Sequence, residues 1–161
     1  MFIVGLPRSR TAWLSVFMSQ SNTYFHHEAI NGCASVKDYQ EKIYGCGDST
    51  TGFAPVFDMI QGQKIVIIKK NEKQIYDCIE WCEREFDIDS TAAVFELDRL
   101  LQSFDGLVVN QDDIDNRLEE IWRFLVDDEW LDRYADLSRF NIQLNDTSID
   151  LNAARSLYES I

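Results

Sequence analysis

Gly5, Leu6, Pro7, Arg8, Ser9, Arg10 and Thr11 are the residues best suited to chemistry in this chain, and the chemistry is the holding of an anion. Residues 1–4 form a short apolar run that reads as a strand. Gly5 and Pro7 break it, and Thr11 with Trp13, Leu14, Phe17 and Met18 at helical spacing predicts a helix directly afterwards. Backbone N–H groups at such a helix start have no intrahelical partner and sit at the positive end of the dipole, so an oxyanion is their natural occupant. Arg8 adds a planar guanidinium. A second group of reactive types follows a short buried strand at residues 24–27, where His26, His27 and Glu28 stand together. Past the carboxyl end of a strand in an α/β sheet, these residues face the ligand crevice, and any of them could accept a proton there. The competing reading gives Glu28 a local capping role and leaves one His as a satisfied core residue.

The loop departs from the Walker A pattern, which needs a second Gly, then Lys, then a Ser or Thr hydroxyl for magnesium. In that register the chain has Arg10, Thr11 and Ala12, so metal-assisted phosphoryl transfer is poorly served although a phosphate can still be gripped. The spelling Pro7-Arg8-Ser9-Arg10-Thr11-Ala12 resembles the sulfotransferase family, whose strand, Pro-Arg/Lys-Ser-Gly-Thr-Thr loop and helix bind the 5′-phosphosulfate of 3′-phosphoadenosine 5′-phosphosulfate (PAPS) without magnesium. Arg10 replaces that family's Gly, and Ala12 its second Thr. The resemblance implies Glu28 as the base that removes the acceptor proton, with His27 as the next candidate. It also implies Arg8 in stabilising the leaving oxygen, and Pro7, Arg8, Ser9, Arg10, Thr11 and Ala12 around the phosphosulfate. His26, Asp48 and Ser49 would border the acceptor, since a Gly-Asp-Ser/Lys-Thr-Pro-like stretch of the family falls at residues 47–52. Lys70 stands where the family has an Arg for the 3′-phosphate, and Cys78 where it has a Ser.

The elements that must position these groups follow in order. Val36, Tyr39, Gln40 and Ile43 predict a helix over 34–44, and residues 44–48 a third strand, with Asp48 and the residues after it at the carboxyl end. Pro55 and Gly62 bound a short helix. The β-branched run at 64–69 reads as a buried central parallel strand. Asn71 and Gln74 form a capping-box pattern for a helix with Ile75, Ile79, Cys82 and Phe86 inward. Ser90 is placed to cap a helix with Ala93, Leu97, Leu100, Leu101 and Phe104 inward, and residues 107–109 read as a fifth strand. The acidic Asp112 and Asp113 then open a helix with Ile114, Leu118, Ile121, Trp122 and Leu125 on one face, where acidic charge complements the dipole. A further apolar stripe (Trp130, Leu131, Tyr134, Leu137) and a closing helix at 149–158 complete the chain. Alternating strands and helices imply a three-layer α/β/α domain with a five-stranded, mostly parallel sheet. The resemblance, spread over residues 1–125, implies the P-loop kinase-like topology of sulfotransferases.

The chain's 161 residues and two prolines suit one domain, with a core over 1–125 and a helical segment over 126–161. A formal charge of −13 argues against a nucleic-acid or anionic-membrane binder, both of which need excess Lys and Arg. No secretory-type sequence precedes the first strand and no apolar run approaches bilayer length, so a cytoplasmic location is expected. Cys33, Cys46, Cys78 and Cys82 lack a disulfide-framework spacing. Cys78 and Cys82, four apart, read as reduced core thiols, the alternative being a metal site completed by His26 or His27. Lys69 and Lys70 are equally a solvated strand end or phosphate ligands. The functional expectation is a small PAPS-dependent sulfotransferase with a hydroxyl or amine acceptor and no metal requirement, binding adenosine 3′,5′-bisphosphate-type nucleotides. Its alternatives are a P-loop nucleotide or small-molecule kinase with a degenerate loop, and a sulfotransferase-like binding or regulatory protein without activity.

Overall fold

The computed structural model describes residues 1–20, 23–126 and 130. Five strands, β1 (Phe2–Gly5), β2 (Phe25–His27), β3 (Gly47–Thr50), β4 (Ile65–Lys69) and β5 (Leu107–Asn110), form one sheet in the order β2-β3-β1-β4-β5. All four pairings are parallel. The helices are α1 (Thr11–Met18), α2 (Val36–Lys42), α3 (Phe57–Ile60), α4 (Glu72–Phe86), α5 (Thr91–Leu101) and α6 (Leu118–Leu125), with 3-10 turns at Ala54–Val56 and Gln111–Asn116.

Parallel strands need crossovers, and right-handed crossovers fix which face each helix covers. The connection from β1 runs toward one edge of the sheet and the later connections run toward the other, so α1 lies alone on one face until α6 joins it. Two separate cores record this division. Ile3, Val66, Ile68 and Val109 pack against Trp13, Leu14, Phe17, Leu118, Ile121, Trp122 and Leu125. Phe2, Val4, Ile65 and Ile67 point the other way, into Tyr39, Val56, Ile60, Ile79, Val94 and Leu101. Successive residues of β1 and β4 thus alternate between two buried faces, which is why both strands are apolar throughout. β1 sends its connection to the face opposite its neighbours, and in open α/β sheets the carboxyl end of such a strand is the usual place for a ligand.

Helix α4 starts at the expected capping box, with the Asn71 side chain accepting from the Gln74 N–H at 3.0 Å and the Gln74 side chain accepting from the Asn71 N–H at 2.9 Å. Its inward face is Cys78, Ile79 and Cys82, whereas Phe86 is exposed, because the helix ends there at Asp87 in a left-handed conformation. In α5 the buried residues are Val94 and Leu101, and Ala93 points to solvent. Ser90 makes no side-chain cap, its hydroxyl donating instead to the Ile79 carbonyl at 3.3 Å. All five inward positions expected around α6 are buried. The third strand differs most from expectation. It runs Gly47–Thr50, so Asp48 and Ser49 lie within it, fully buried, and not beyond its end. No described helix is long and apolar enough to cross a membrane. Apart from Trp130, whose ring lies 6.2 Å from that of Phe17, the stripe after α6 and the closing helix fall outside the described residues.

Candidate anion site at the carboxyl ends of the strands

Between β1 and α1 the backbone does something the residue types alone would not suggest. Arg8 and Arg10 both take left-handed conformations, with φ of 65° and 61°, while Ser9 between them and Thr11 after them do not. Alternation of φ sign turns successive N–H groups toward one concave side, forming a nest that binds anions. Left-handed geometry costs a non-glycine residue roughly 1–2 kcal/mol, so two such residues in three are strain that the surrounding contacts must hold. The loop closes back on β1 so tightly that a Cβ on Gly5 would meet Ser9 Cβ at 2.8 Å and Ser9 Oγ at 3.1 Å. Ser9 is fully buried, and its hydroxyl has no hydrogen-bond partner among the described residues. Native interiors rarely leave a hydroxyl in that condition unless a ligand or ion completes it.

The two arginines are held apart. Arg10 pairs with Asp115 at 2.9 Å and lies over the Trp13 ring at 4.5 Å, which turns its guanidinium outward from the loop. Arg8 is exposed and lies over the half-buried Trp81 ring at 5.7 Å. Among the described residues no carboxylate pairs with Arg8, which makes it the cation available to an incoming oxyanion. Pro7 is half-buried, Thr11 is buried and Ala12 half-buried at the start of α1. Ala12 offers no hydroxyl in the position a magnesium ligand would need.

His27 and Glu28 have distinct situations. The Ser49 carbonyl accepts from the Glu28 N–H at 3.2 Å and from His27 Nδ1 at 2.9 Å. A carbonyl only accepts, so Nδ1 carries the proton and Nε2 of the neutral ring carries a lone pair. Ser49 also donates from Oγ to the Thr11 carbonyl at 2.7 Å, joining β3, whose Ser49 carbonyl holds His27, to the first residue of α1. Glu28, at φ 52°, bonds the turn after β3. Its carboxylate accepts from Thr50 Oγ1 at 2.7 Å, Thr51 N at 2.6 Å, Thr51 Oγ1 at 2.8 Å and Gly52 N at 3.1 Å. Four donors fill the acceptor sites of one carboxylate. Glu28 therefore clamps the segment from Thr50 to Gly52. His26 is half-buried on the opposite side of β2 and packs edge-on to Tyr24 at 4.8 Å.

Asp48 and Ser49, expected at the acceptor, lie fully buried within β3. Asp48 accepts from the Tyr39 hydroxyl at 2.7 Å and the Ala29 N–H at 3.2 Å. Burial pushes its carboxyl above the ordinary range near 3.8, with these two hydrogen bonds opposing. The Tyr39 hydroxyl is pushed upward in turn, by burial first and then by Asp48. Lys70 is 5% exposed and donates to the Arg8 carbonyl at 3.1 Å and to Gln111 Oε1 at 2.6 Å. Burial holds its ammonium below the usual lysine range. Cys78 is 1% exposed in the core, so its thiol, kept protonated by burial that pushes it up to about 12, is out of reach of a ligand at the surface. All four cysteines are free, and no group of three His, Cys, Asp or Glu gathers among the described residues.

Sequence reasoning missed Gln111, Trp81 and Asp115, which bind Lys70, Arg8 and Arg10 respectively, and the bonding of Glu28 to residues 50–52. None has a local signal, because each meets its partner only through the order of the strands. Two open surface depressions, one lined by Lys37, Gln40, Glu41 and Tyr44 and one by Asn116, Glu119, Glu120, Arg123 and Phe124, include none of the loop residues. The candidate site is thus a loop of alternating φ sign with a buried serine hydroxyl, at the carboxyl end of a strand in a parallel α/β/α sheet. No protein-family model, no curated protein and no solved structure matches the chain.

Proposed function

We propose that this chain is a small sulfotransferase-like enzyme of P-loop kinase-like topology that holds the phosphosulfate end of a PAPS-type donor at the loop between β1 and α1. The observation that carries the reading is the buried, unpartnered Ser9 hydroxyl inside a loop of alternating φ sign. An oxyanion there would receive the nest N–H groups, Ser9 Oγ and the Arg8 guanidinium. Sulfuryl transfer would form a bond from the acceptor oxygen or nitrogen to sulfur and break the bond from sulfur to the bridging oxygen. The acceptor proton goes to His27 Nε2, and the bond electrons stay on the departing phosphate, where Arg8 offsets the charge. The strand order β2-β3-β1-β4-β5 supports this topology, and the four free thiols suit a cytoplasmic protein.

A binding or regulatory protein on the same fold is favoured by one observation, the full engagement of Glu28 with the 50–52 turn. Calorimetric titration with adenosine 3′,5′-bisphosphate, beside ATP with and without magnesium, tests the anion site. Magnesium-independent binding of the bisphosphate, lost in Arg8→Ala, is expected. A folded protein that binds none of these ligands refutes the reading. Sulfate release from PAPS, lost in His27→Gln with binding intact, separates the enzyme from the binding protein.

A further inference from the structure

The second phosphate subsite implied by the sulfotransferase resemblance needs Lys70 and Cys78 to face a ligand, and neither does. Lys70 follows the last residue of β4 and turns inward, 5% exposed. Two of its three N–H donors are engaged, by the Arg8 carbonyl at 3.1 Å and Gln111 Oε1 at 2.6 Å. No carboxylate pairs with it among the described residues. A buried ammonium without a direct ion pair is costly, even with the Asp77 and Asp112 charges nearby, and here it stands directly behind the loop.

The contact with Arg8 has a geometric effect. Across a trans peptide the carbonyl and the next N–H point in opposite directions. Fixing the Arg8 carbonyl on Lys70 Nζ therefore turns the Ser9 N–H away from Lys70, toward the concave side of the loop. We propose that Lys70 is a positioning residue of this loop, and that the site recognises a single oxyanion and does not read a second phosphate on the same ligand. This rests on the reading of the loop as an oxyanion site. Lys70 supplies charge from behind and orients Ser9. Cys78, 1% exposed, supplies nothing to a ligand.

The experiment compares adenosine 5′-monophosphate with adenosine 3′,5′-bisphosphate by calorimetry, on the wild type and on Lys70→Met. The wild type should bind the two within about threefold, and Lys70→Met should weaken both at least tenfold. Gln111→Met removes the other anchor and should weaken both by a smaller, equal factor, which keeps the proposal testable if Lys70→Met does not fold. Repeating the titration at rising pH distinguishes positioning by charge from mere support. Arg8, Cys78, Asp77 and Asp112 are the charged and titratable groups facing Lys70, and Cys78 titrates only near 12. Wild-type affinity should fall as Lys70 loses its proton, and Lys70→Arg, which stays charged, should bind without that fall. A wild type that prefers the bisphosphate at least tenfold, with the preference lost in Lys70→Met, makes Lys70 a ligand of the second phosphate and overturns the proposal. Unchanged affinities in Lys70→Met overturn it as well. Binding of neither nucleotide by the wild type removes the oxyanion reading on which it stands.

Discussion

Replacing Glu28 distinguishes a structural clamp from a catalytic base, and the structure gives the size of the effect. Glu28→Ala deletes an acceptor for four donors. The Thr50 and Thr51 hydroxyls can turn to water, and Gly52 N keeps its second acceptor, Thr50 Oγ1, at 2.9 Å. Thr51 N, at 2.6 Å the shortest of the four, loses its only acceptor among the described residues. Hydrogen bonds to a charged group contribute about 1.5–3 kcal/mol each, and half-burial with partial replacement by water reduces the total to roughly 3 kcal/mol. For a chain of this size that corresponds to a fall in Tm of about 6–12 °C. Alanine at this position retains the left-handed backbone, φ 52°, whereas glycine relieves it. Glu28→Gly should therefore be less destabilised than Glu28→Ala by about 1 kcal/mol, an order opposite to that in a helix or strand. Thermal and urea unfolding of the three proteins, followed by circular dichroism, measure this. Unchanged stability in Glu28→Ala, together with lost sulfate release, would refute the clamp and restore Glu28 as the base.

Three further outcomes follow from the same contacts. Gly5→Ala drives a Cβ to 2.8 Å from Ser9 Cβ and 3.3 Å from Ile68 Cβ, so it should destabilise by about 1–3 kcal/mol and weaken nucleotide binding, read by urea unfolding and calorimetry. Asp48 has its carboxyl raised by burial, so its contribution to stability is fully present below about 3.8 and is lost as pH rises through the raised value. Tm should accordingly decline over that interval, and Asp48→Asn should remove this part of the decline. Asp115→Asn frees Arg10 from a partly exposed pair and removes a negative charge beside the loop. Bisphosphate affinity should rise about two- to fivefold at low salt, and the gain should vanish near 0.5 M salt.

The strands β1, β4 and β5, the helices and the parallel architecture were legible because their evidence is local. The run Ile65, Val66, Ile67, Ile68 can only be a strand buried on both faces, and Asn71 with Gln74 marks a helix start from side chains three residues apart. The third strand was displaced because Asp48, Ser49 and Thr50 are polar turn-formers by local preference. Tertiary partners override that preference, since Tyr39 satisfies Asp48 and Thr11 satisfies Ser49. The position of the loop at the first strand-to-helix junction was likewise readable, its φ alternation was not.

What the sequence determined by itself, then, is the sheet-forming pattern, the helix starts and the set of groups near the crevice: Arg8, Ser9, Arg10, His27, Glu28 and Lys70. What each of those groups does was decided by the strand order. It sets β3 between β1 and β2, so that Glu28 meets Thr50, Thr51 and Gly52, and it sets β4 between β1 and β5, so that Lys70 meets both Arg8 and Gln111. Local chemistry selects residues able to hold an anion or a proton. Only contacts between residues as far apart as Lys70 and Arg8 determine which of them has its donors and lone pairs already engaged.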